Sequence, residues 1–185
     1  MNVRIFLISL VFGLMLAEAR VSARNTQLLR RRGAVEPSGD PYAALSVTYV
    51  LAFLLMGAEG LWRAAASSTG VSDAGADVVP GPSWAASGAL LFLASKALKY
   101  WAIRTLGGRW SFRVLVLPGV PLVAGGPYRY VAHPNYIAVV GELSGAAMMF
   151  GATMTGPVSI AVFGLALWAR VRFETRVLRD AQRSV

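Results

Sequence analysis

Long stretches without a charged side chain constrain the fold of this sequence more than any other feature. Residues 143–169 contain no charged residue, and neither do residues 78–95. Only 15% of the 185 residues are charged, which is too few to cover the surface of a soluble domain. Lipid must therefore cover much of the outside, and the sequence predicts an all-α integral membrane protein.

A membrane-spanning helix needs roughly 20 apolar residues, and this length limits the number of candidates. The uncharged stretch 143–169 is too long for one ordinary span. Gly151 and Pro157 favour a turn inside it, so we divide it into a helical hairpin. In the third candidate, Lys96 and Lys99 are expected to extend toward the membrane surface. The sequence thus predicts five spans, at residues 3–19, 42–60, 78–103, 136–153 and 157–173.

The first candidate span has a second interpretation as a signal peptide. Arg4, the apolar run 5–17 and the small residues Ala17 and Ala19 are typical of such a segment. The arginines that follow are instead typical of the flank of a retained helix; they are Arg20, Arg24, Arg30, Arg31 and Arg32. We favour the retained helix and keep the signal peptide as the alternative.

The distribution of basic residues predicts the orientation, because cytoplasmic loops carry an excess of Lys and Arg. In a five-span arrangement with the N-terminus outside, three groups of basic residues lie on the same side of the membrane. There are five in the first loop, six around the third loop and five at the C-terminal end. These are sixteen of the 18 basic residues, and only Arg4 and Arg63 lie opposite. The sequence therefore predicts a multi-pass protein of the cell membrane whose third loop is cytoplasmic.

Charge and composition also exclude some classes of function. The net charge of +9 lies in short clusters between apolar runs, not on one basic face with interleaved aromatic residues, so we expect no nucleic-acid partner. The chain has no cysteine and one histidine, so no metal site is expected. The oligomeric state is not predicted.

The third loop, residues 106–134, is rich in Gly and Pro but remains apolar. The runs 114–117 and 120–123 resemble two short strands joined around Pro118 and Gly119. Irregular backbone near a membrane is tolerated where it lines a protein cavity. The loop is therefore predicted to form the wall of a pocket.

The residues suited to chemistry lie at the predicted cytoplasmic ends of the last two helices. They are the run 125–136, Glu142 inside the fourth span, and the run 170–178. Pro134 fits the first turn of a helix, whose free N–H groups attract an anionic group. Arg170 and Glu174 are four residues apart and share a helix face, whereas Arg172 points elsewhere.

Each group also has a purely structural interpretation. His133 next to Pro134 can be a helix cap, the tyrosines an aromatic belt, and the C-terminal arginines topology signals only. Glu142 is the hardest to explain in this way, because an ionisable group within a span is costly and normally faces a cavity or a partner.

Three motifs together resemble the isoprenylcysteine carboxyl methyltransferase family. The family signature G-P-Y-x-x-x-R-H-P-x-Y is similar to Gly126-Pro-Tyr-Arg-Tyr-Val-Ala-His-Pro-Asn-Tyr136. Upstream, Leu106-Gly-Gly-Arg-Trp-Ser111 also fits, and downstream the family's R-I-x-x-E-E-x-x-L resembles Arg170-Val-Arg-Phe-Glu-Thr-Arg-Val-Leu178. The resemblance covers about residues 101–178.

The resemblance divides one membrane domain, residues 1–185, into N-terminal spans (1–100) and a methyltransferase-like catalytic region (101–178). Two departures stand out: Ala132 replaces the usual Arg before His133, and Thr175 replaces the second acid after Glu174. Near the N-terminus, a further pattern is similar to a bacterial branch that often accompanies type III polyketide synthases; it consists of Arg20, Arg24, Asn25, Gly33 and Glu36.

The resemblance implies an S-adenosyl-L-methionine cofactor held on the cytoplasmic side. No G-x-G-x-x-G loop is present, so the soluble methyltransferase fold is excluded. Glu142, as the acid inside the bundle, and Arg170 are the candidate catalytic residues. The candidate cofactor-binding residues are Tyr128, His133, Pro134, Asn135, Tyr136, Arg172 and Glu174.

The implied reaction is methylation of a carboxylate or hydroxyl oxygen on a lipophilic acceptor that enters from the bilayer. Abundant Ala and a preference for Arg over Lys are typical of a bacterial sequence, which favours an alkylated polyketide over a prenylated cysteine. Two alternatives remain: an NADPH-dependent membrane reductase of the sterol-reductase type, and a non-catalytic membrane subunit.

Overall fold

The computed structural model describes residues 3–68 and 81–183, and in these residues the chain forms five α-helices. Two short 3₁₀ turns, Gly107–Arg109 and Gly126–Arg129, lie in the loop before the fourth helix. The all-α prediction is confirmed for the described residues. The helices are α1 (Val3–Arg31), α2 (Tyr42–Ser68), α3 (Pro82–Leu106), α4 (Pro134–Phe150) and α5 (Thr155–Arg183).

Most helices extend beyond the predicted apolar spans, because polar helix formers continue them outside the apolar region. α1 runs without a break through Glu18 and ends before Gly33, whose φ of +84° suits the left-handed residue after a helix. α5 likewise continues past Phe173 to Arg183. The predicted start of the third span, Val78, lies outside the described residues.

The predicted turn of the C-terminal hairpin is confirmed. α4 ends at Gly151, which has a left-handed conformation with φ +71°. The carboxylate of Glu59, at the far end of α2, accepts hydrogen bonds from the backbone N–H groups of Met154 (3.1 Å) and Thr155 (2.7 Å). The anion thus satisfies free donors at the start of α5 and ties α2 to the hairpin.

The chain is a multi-pass membrane protein. Within residues 3–68 and 81–183, three helices are long and apolar enough to cross a membrane: Val3–Arg31, Tyr42–Ser67 and Thr155–Asp180. α3 and α4 are weaker candidates for membrane-spanning helices. α4 has 17 residues, the lower limit for a span, and α3 carries the charged residues Lys96 and Lys99. The five-span count therefore stays a prediction.

The prediction that the two lysines of α3 extend to the membrane surface is wrong. Lys96 and Lys99 are 4% and 2% exposed, and both point into the helix bundle. Lys96 donates to Glu18 of α1 (2.6 Å), and Lys99 donates to Glu18 (2.8 Å) and to Glu142 of α4 (3.1 Å). The lysines turn inward because two buried carboxylates match their charge, an arrangement that we call the inner ion cluster.

α3 and α4 make the closest helix contact, and small residues permit it. A Cβ atom added to Gly145 would lie 2.7 Å from the carbonyl oxygen of Gly88 and 2.7 Å from the backbone nitrogen of Phe92. These neighbours are backbone atoms, so a side chain at Gly145 could be accommodated only by separating the helices.

Gly145→Ala is therefore expected to destabilise the protein by about 1–3 kcal/mol, the usual cost of overpacking. Gly164→Ala on α5 is the matched control, because a Cβ there meets no atom within 4 Å. Thermal unfolding in detergent measures both variants. Equal melting temperatures for Gly145→Ala and wild type would contradict the close α3–α4 packing.

The two strands predicted in the third loop are not present in the described residues. Val116 instead forms one isolated antiparallel bridge with Val35 of the α1–α2 linker, with N–O distances of 2.9 and 3.0 Å. Pro118 and Pro121 lack N–H groups and cannot donate to a hairpin ladder between the two runs.

The five-span topology predicts where reporter fusions will lie. Fusions after Glu36 and Ser184 should report a cytoplasmic location, and a fusion after Ala74 an external one; the last two positions lie outside the described residues. Cleavage of the purified protein after Ala19 would contradict the prediction that the first helix is retained. It would also remove Glu18 from the inner ion cluster.

Candidate functional site

A cavity of about 590 Å³ lies where the loop between α3 and α4 meets the start of α4 and the last turns of α5. One side is apolar and is formed mainly by residues 114–123, with Leu29, Leu106 and Leu178. The other side is polar and is lined by Tyr128, His133, Asn135, Tyr136 and Glu174. The prediction that the third loop forms a pocket wall is confirmed.

His133 occupies the N-cap position of α4, but its side chain makes no capping hydrogen bond. Its Nε2 atom lies 3.2 Å from the hydroxyl of Thr175 on α5. Its ring stacks on Tyr136, with ring centroids 5.4 Å apart and an angle of 25° between the planes. His133 thus has the predicted cap position, but its side chain does not cap the helix: the imidazole joins α4 to α5 at the cavity.

Tyr136 and Glu174 form the polar centre of the site. The Tyr136 hydroxyl donates a short hydrogen bond to Glu174, and the Arg170 guanidinium donates from Nε to the same hydroxyl at 3.1 Å. Arg170 Nε and Glu174 are also 3.9 Å apart, one helical turn from each other. The Glu174 side chain is 24% exposed and lines the cavity, so its carboxylate remains accessible.

Tyr128 and Asn135 complete the polar side. Tyr128 lies in a 3₁₀ turn that begins at Gly126, where φ is +54° and an added Cβ would clash with Thr105. Burial, reinforced by the charge of Glu174, raises the pKa of Tyr128 to about 12, so the phenol is neutral at physiological pH. The Oδ1 atom of Asn135 is buried and has no hydrogen-bond partner among the described residues.

Three predicted site residues do not line this cavity. Glu142 is 0% exposed and belongs to the inner ion cluster, bonded to Tyr49 (2.5 Å) and Lys99, so the expectation that it faces the pocket is wrong. Arg170 is buried behind Tyr136. Arg172 is exposed, with its guanidinium 4.0 Å from the Trp168 ring centroid, because two helical residues rotate it to the opposite face.

Comparisons with known proteins show the family of this chain. The family model of the isoprenylcysteine carboxyl methyltransferase (ICMT) family matches residues 88–180, which is half of the chain. The chain belongs to this family. It is also 30% identical over 164 residues to the uncharacterized protein YpbQ of Bacillus subtilis (strain 168), covering 89% of each chain. No solved structure matches the chain significantly.

The ICMT-family region contains all the polar residues of the cavity and both departures from the signature. Ala132 lines the cavity and is exposed, so the usual Arg would have projected near its mouth. Thr175 is the hydrogen-bond partner of His133. The residue at the second departure therefore takes part in a polar contact between α4 and α5.

The N-terminal region, outside the ICMT-family match, supports the cavity wall. Asn25 of α1 donates to the carbonyl oxygens of Gly107 (3.3 Å) and Trp110 (2.8 Å). Ser22 accepts from the backbone N–H of Phe112 at 2.8 Å. The sequence pattern containing Asn25 and Glu36 thus serves to hold the third loop.

Two linker acids contribute to this support. Glu36 pairs with Arg30 and Arg113. Burial alone would raise the pKa of Glu36, but hydrogen bonds from the two guanidinium groups outweigh it and hold that pKa below its usual value. Asp40, which the sequence analysis missed, pairs with Arg170. The sequence shows only that Asp40 is an acid just before a predicted span. No pattern in the sequence connects it with Arg170, 130 residues away.

Proposed function

We propose that the protein is an integral membrane O-methyltransferase that uses S-adenosyl-L-methionine to methylate a lipophilic acceptor on the cytoplasmic side. One observation carries the proposal: the cavity formed by the ICMT-family region combines a polar side built from His133, Tyr136 and Glu174 with an apolar wall. Family membership indicates a membrane methyltransferase; the cofactor, the reacting oxygen and the cytoplasmic orientation belong to the proposal.

The chemistry of the cavity fits this cofactor. S-adenosylmethionine carries an ammonium group, an adenine amino group and a cationic sulfur, so it needs acceptors and aromatic surface. Glu174 offers an accessible carboxylate, and the buried Oδ1 of Asn135 lacks a partner among the described residues. An unsatisfied buried acceptor is costly, and a bound donor would remove that cost. The stacked rings of His133 and Tyr136 provide the aromatic surface.

Each cavity residue has a proposed role. Glu174 holds the ammonium group, Asn135 accepts from the adenine amino group, and His133 and Tyr136 pack against the adenosine. Tyr128 completes the polar side as a neutral phenol, and Pro134 fixes the start of α4. Bound S-adenosylmethionine supplies an electrophilic methyl group on a sulfonium. The protein then needs to align the acceptor oxygen and exclude water.

The apolar wall supports a lipophilic acceptor. Val120 and Leu122 are 43% and 47% exposed on the loop that follows α3, the third predicted span, so an alkyl chain could reach the cavity from the bilayer. Arg109 also lines the cavity and has no acidic partner among the described residues, which suits an anionic acceptor. An alkylated polyketide acid and an isoprenylcysteine-like carboxylate both meet these requirements.

The position of Glu142 bears on which oxygen is methylated. A carboxylate is already nucleophilic and needs no general base, whereas a phenol or enol must lose its proton. Because Glu142 lies outside the cavity, a carboxylate acceptor is favoured. With Glu174 assigned to the ammonium group, a hydroxyl acceptor would have to use His133 as the base.

Transfer of a labelled methyl group tests the proposal. Purified protein in vesicles is incubated with methyl-labelled S-adenosylmethionine and a bacterial lipid extract, and the lipid fraction is treated with base. We expect labelled lipid that releases methanol, as methyl esters do. Label that survives base would indicate a hydroxyl acceptor, and folded protein that transfers no label to any lipid extract would contradict the proposed function.

A further inference from the structure

Asp40 reaches the site from the α1–α2 linker, outside the ICMT-family match. Its side chain is 5% exposed. Oδ1 accepts a hydrogen bond from the backbone N–H of Tyr42 at 3.0 Å and a charged one from Arg170. Oδ2 accepts from the backbone N–H of Val114 at 3.1 Å. One carboxylate therefore joins the linker to the cavity wall and to α5.

Arg170 distributes its guanidinium donors among three different elements. Nη1 donates to Asp40, Nη2 donates to the carbonyl oxygen of Phe112 at 2.7 Å, and Nε donates to the Tyr136 hydroxyl at 3.1 Å. The group is planar with donors in a fixed fork, so two partners determine its orientation and the third contact follows. The side chain is 3% exposed, which leaves little room for another orientation.

This orientation determines the direction of the Tyr136 hydroxyl. Because Arg170 Nε donates to the phenolic oxygen, the single O–H of Tyr136 is left to donate to Glu174. Asp40 thus acts at a distance on the two residues that form the polar centre of the cavity.

We infer that Asp40 is a positioning residue of the cofactor site: it holds Arg170 in a direction that orders Tyr136 and leaves the Glu174 carboxylate available to the ammonium group of the cofactor. The inference rests on the proposed function. Without the Asp40 charge, the nearest other carboxylate recorded for Arg170 is Glu174, 3.9 Å away. Arg170 would then compete with the ammonium group for Glu174.

Asp40→Asn tests this inference, because it keeps the size of the side chain and removes its charge. Calorimetric titration compares two probes, S-adenosylhomocysteine, which carries the ammonium group, and methylthioadenosine, which lacks it. We expect the affinity for S-adenosylhomocysteine to fall roughly 10-fold or more, which is the low end of the effect of losing a charge-assisted contact. The affinity for methylthioadenosine should change by less than about 3-fold. A merely structural role would weaken both probes alike.

Glu36→Gln is the matched control, because Glu36 lies on the same linker but pairs with Arg30 and Arg113 instead of Arg170. Because Glu36 supports the cavity wall, its loss should change the affinities for S-adenosylhomocysteine and methylthioadenosine alike. Unchanged affinity in folded Asp40→Asn, or an equal loss for both probes, would overturn the inference alone. Wild-type protein that binds no S-adenosylhomocysteine would overturn the proposed function, and the inference with it.

A second variant covers the possibility that Asp40→Asn does not fold. The single change leaves the Arg170 charge buried without its main partner, which is costly. The double variant Asp40→Asn/Arg170→Gln removes both charges and should fold more readily. Because Asp40 acts through Arg170, we expect the double variant to bind S-adenosylhomocysteine as tightly as Arg170→Gln alone, and a further selective loss of about 10-fold or more would overturn the inference.

Discussion

Glu142→Leu is expected to destabilise the protein by about 3–5 kcal/mol, the usual cost of removing one partner from a buried ion pair. The inner ion cluster contains two lysines and two glutamates, and all four are at most 4% exposed. Removing Glu142 leaves Lys96 and Lys99 with Glu18 as their only recorded acid partner. The variant should lose roughly 6–20 °C in Tm, measured by thermal unfolding in detergent.

The matched control restores the balance of charge. Glu142→Leu/Lys99→Leu removes one charge of each sign and should recover much of the lost stability, because no uncompensated charge stays buried. Equal instability in the single and double variants would show that Glu142 acts through packing instead of charge.

Glu142→Gln separates the structural role from the catalytic role that the sequence predicted. Glu142 lies outside the cavity, so turnover per folded molecule should fall less than about 10-fold. A general base would instead lose roughly 100- to 10,000-fold in turnover with cofactor binding intact. That larger loss, with stability unchanged, would contradict the location of Glu142 in the inner ion cluster.

Glu174→Gln is expected to weaken S-adenosylhomocysteine binding by roughly 10- to 150-fold, because one charge-assisted contact of about 1.5–3 kcal/mol is lost. The substitution keeps the size of the side chain and an acceptor for the Tyr136 hydroxyl. The loss should therefore appear in the affinity measured by calorimetric titration, with little change in Tm.

Arg172→Gln provides the control on the same helix. Arg172 is exposed and stacks on Trp168, away from the cavity. Its loss should change the affinity for S-adenosylhomocysteine by less than about 2-fold. If Arg172→Gln weakens binding as much as Glu174→Gln, the cofactor lies elsewhere than in this cavity.

The sequence predicted the helices and several of the residues that line the cavity, because both are marked by local patterns. Apolar runs identified the helices, and Gly151 correctly marked the hairpin turn. The family resemblance identified His133, Tyr136 and Glu174, which the structure brings to one cavity. Helix ends were less predictable, because polar residues such as those after Ala19 continue a helix without an apolar pattern.

Contacts between distant parts of the chain could not be predicted in the same way. A lysine near the end of a span commonly extends to the membrane surface, and only the approach of α1 and α4 makes the inward direction of Lys99 favourable. Asp40 and Arg170 are 130 residues apart, and neither periodicity nor a motif connects them. Val116 likewise bonds to Val35 instead of forming the predicted local hairpin.

Direct titration of the purified wild-type protein with S-adenosylhomocysteine, alongside NADPH, tests the central claim that the cavity between the third loop, α4 and α5 holds S-adenosylmethionine. We expect saturable binding of S-adenosylhomocysteine that His133→Ala and Glu174→Gln both weaken, and no binding of NADPH. Folded wild-type protein that binds NADPH and not S-adenosylhomocysteine would contradict the proposed cofactor and support a reductase. Binding of neither would support a non-catalytic subunit.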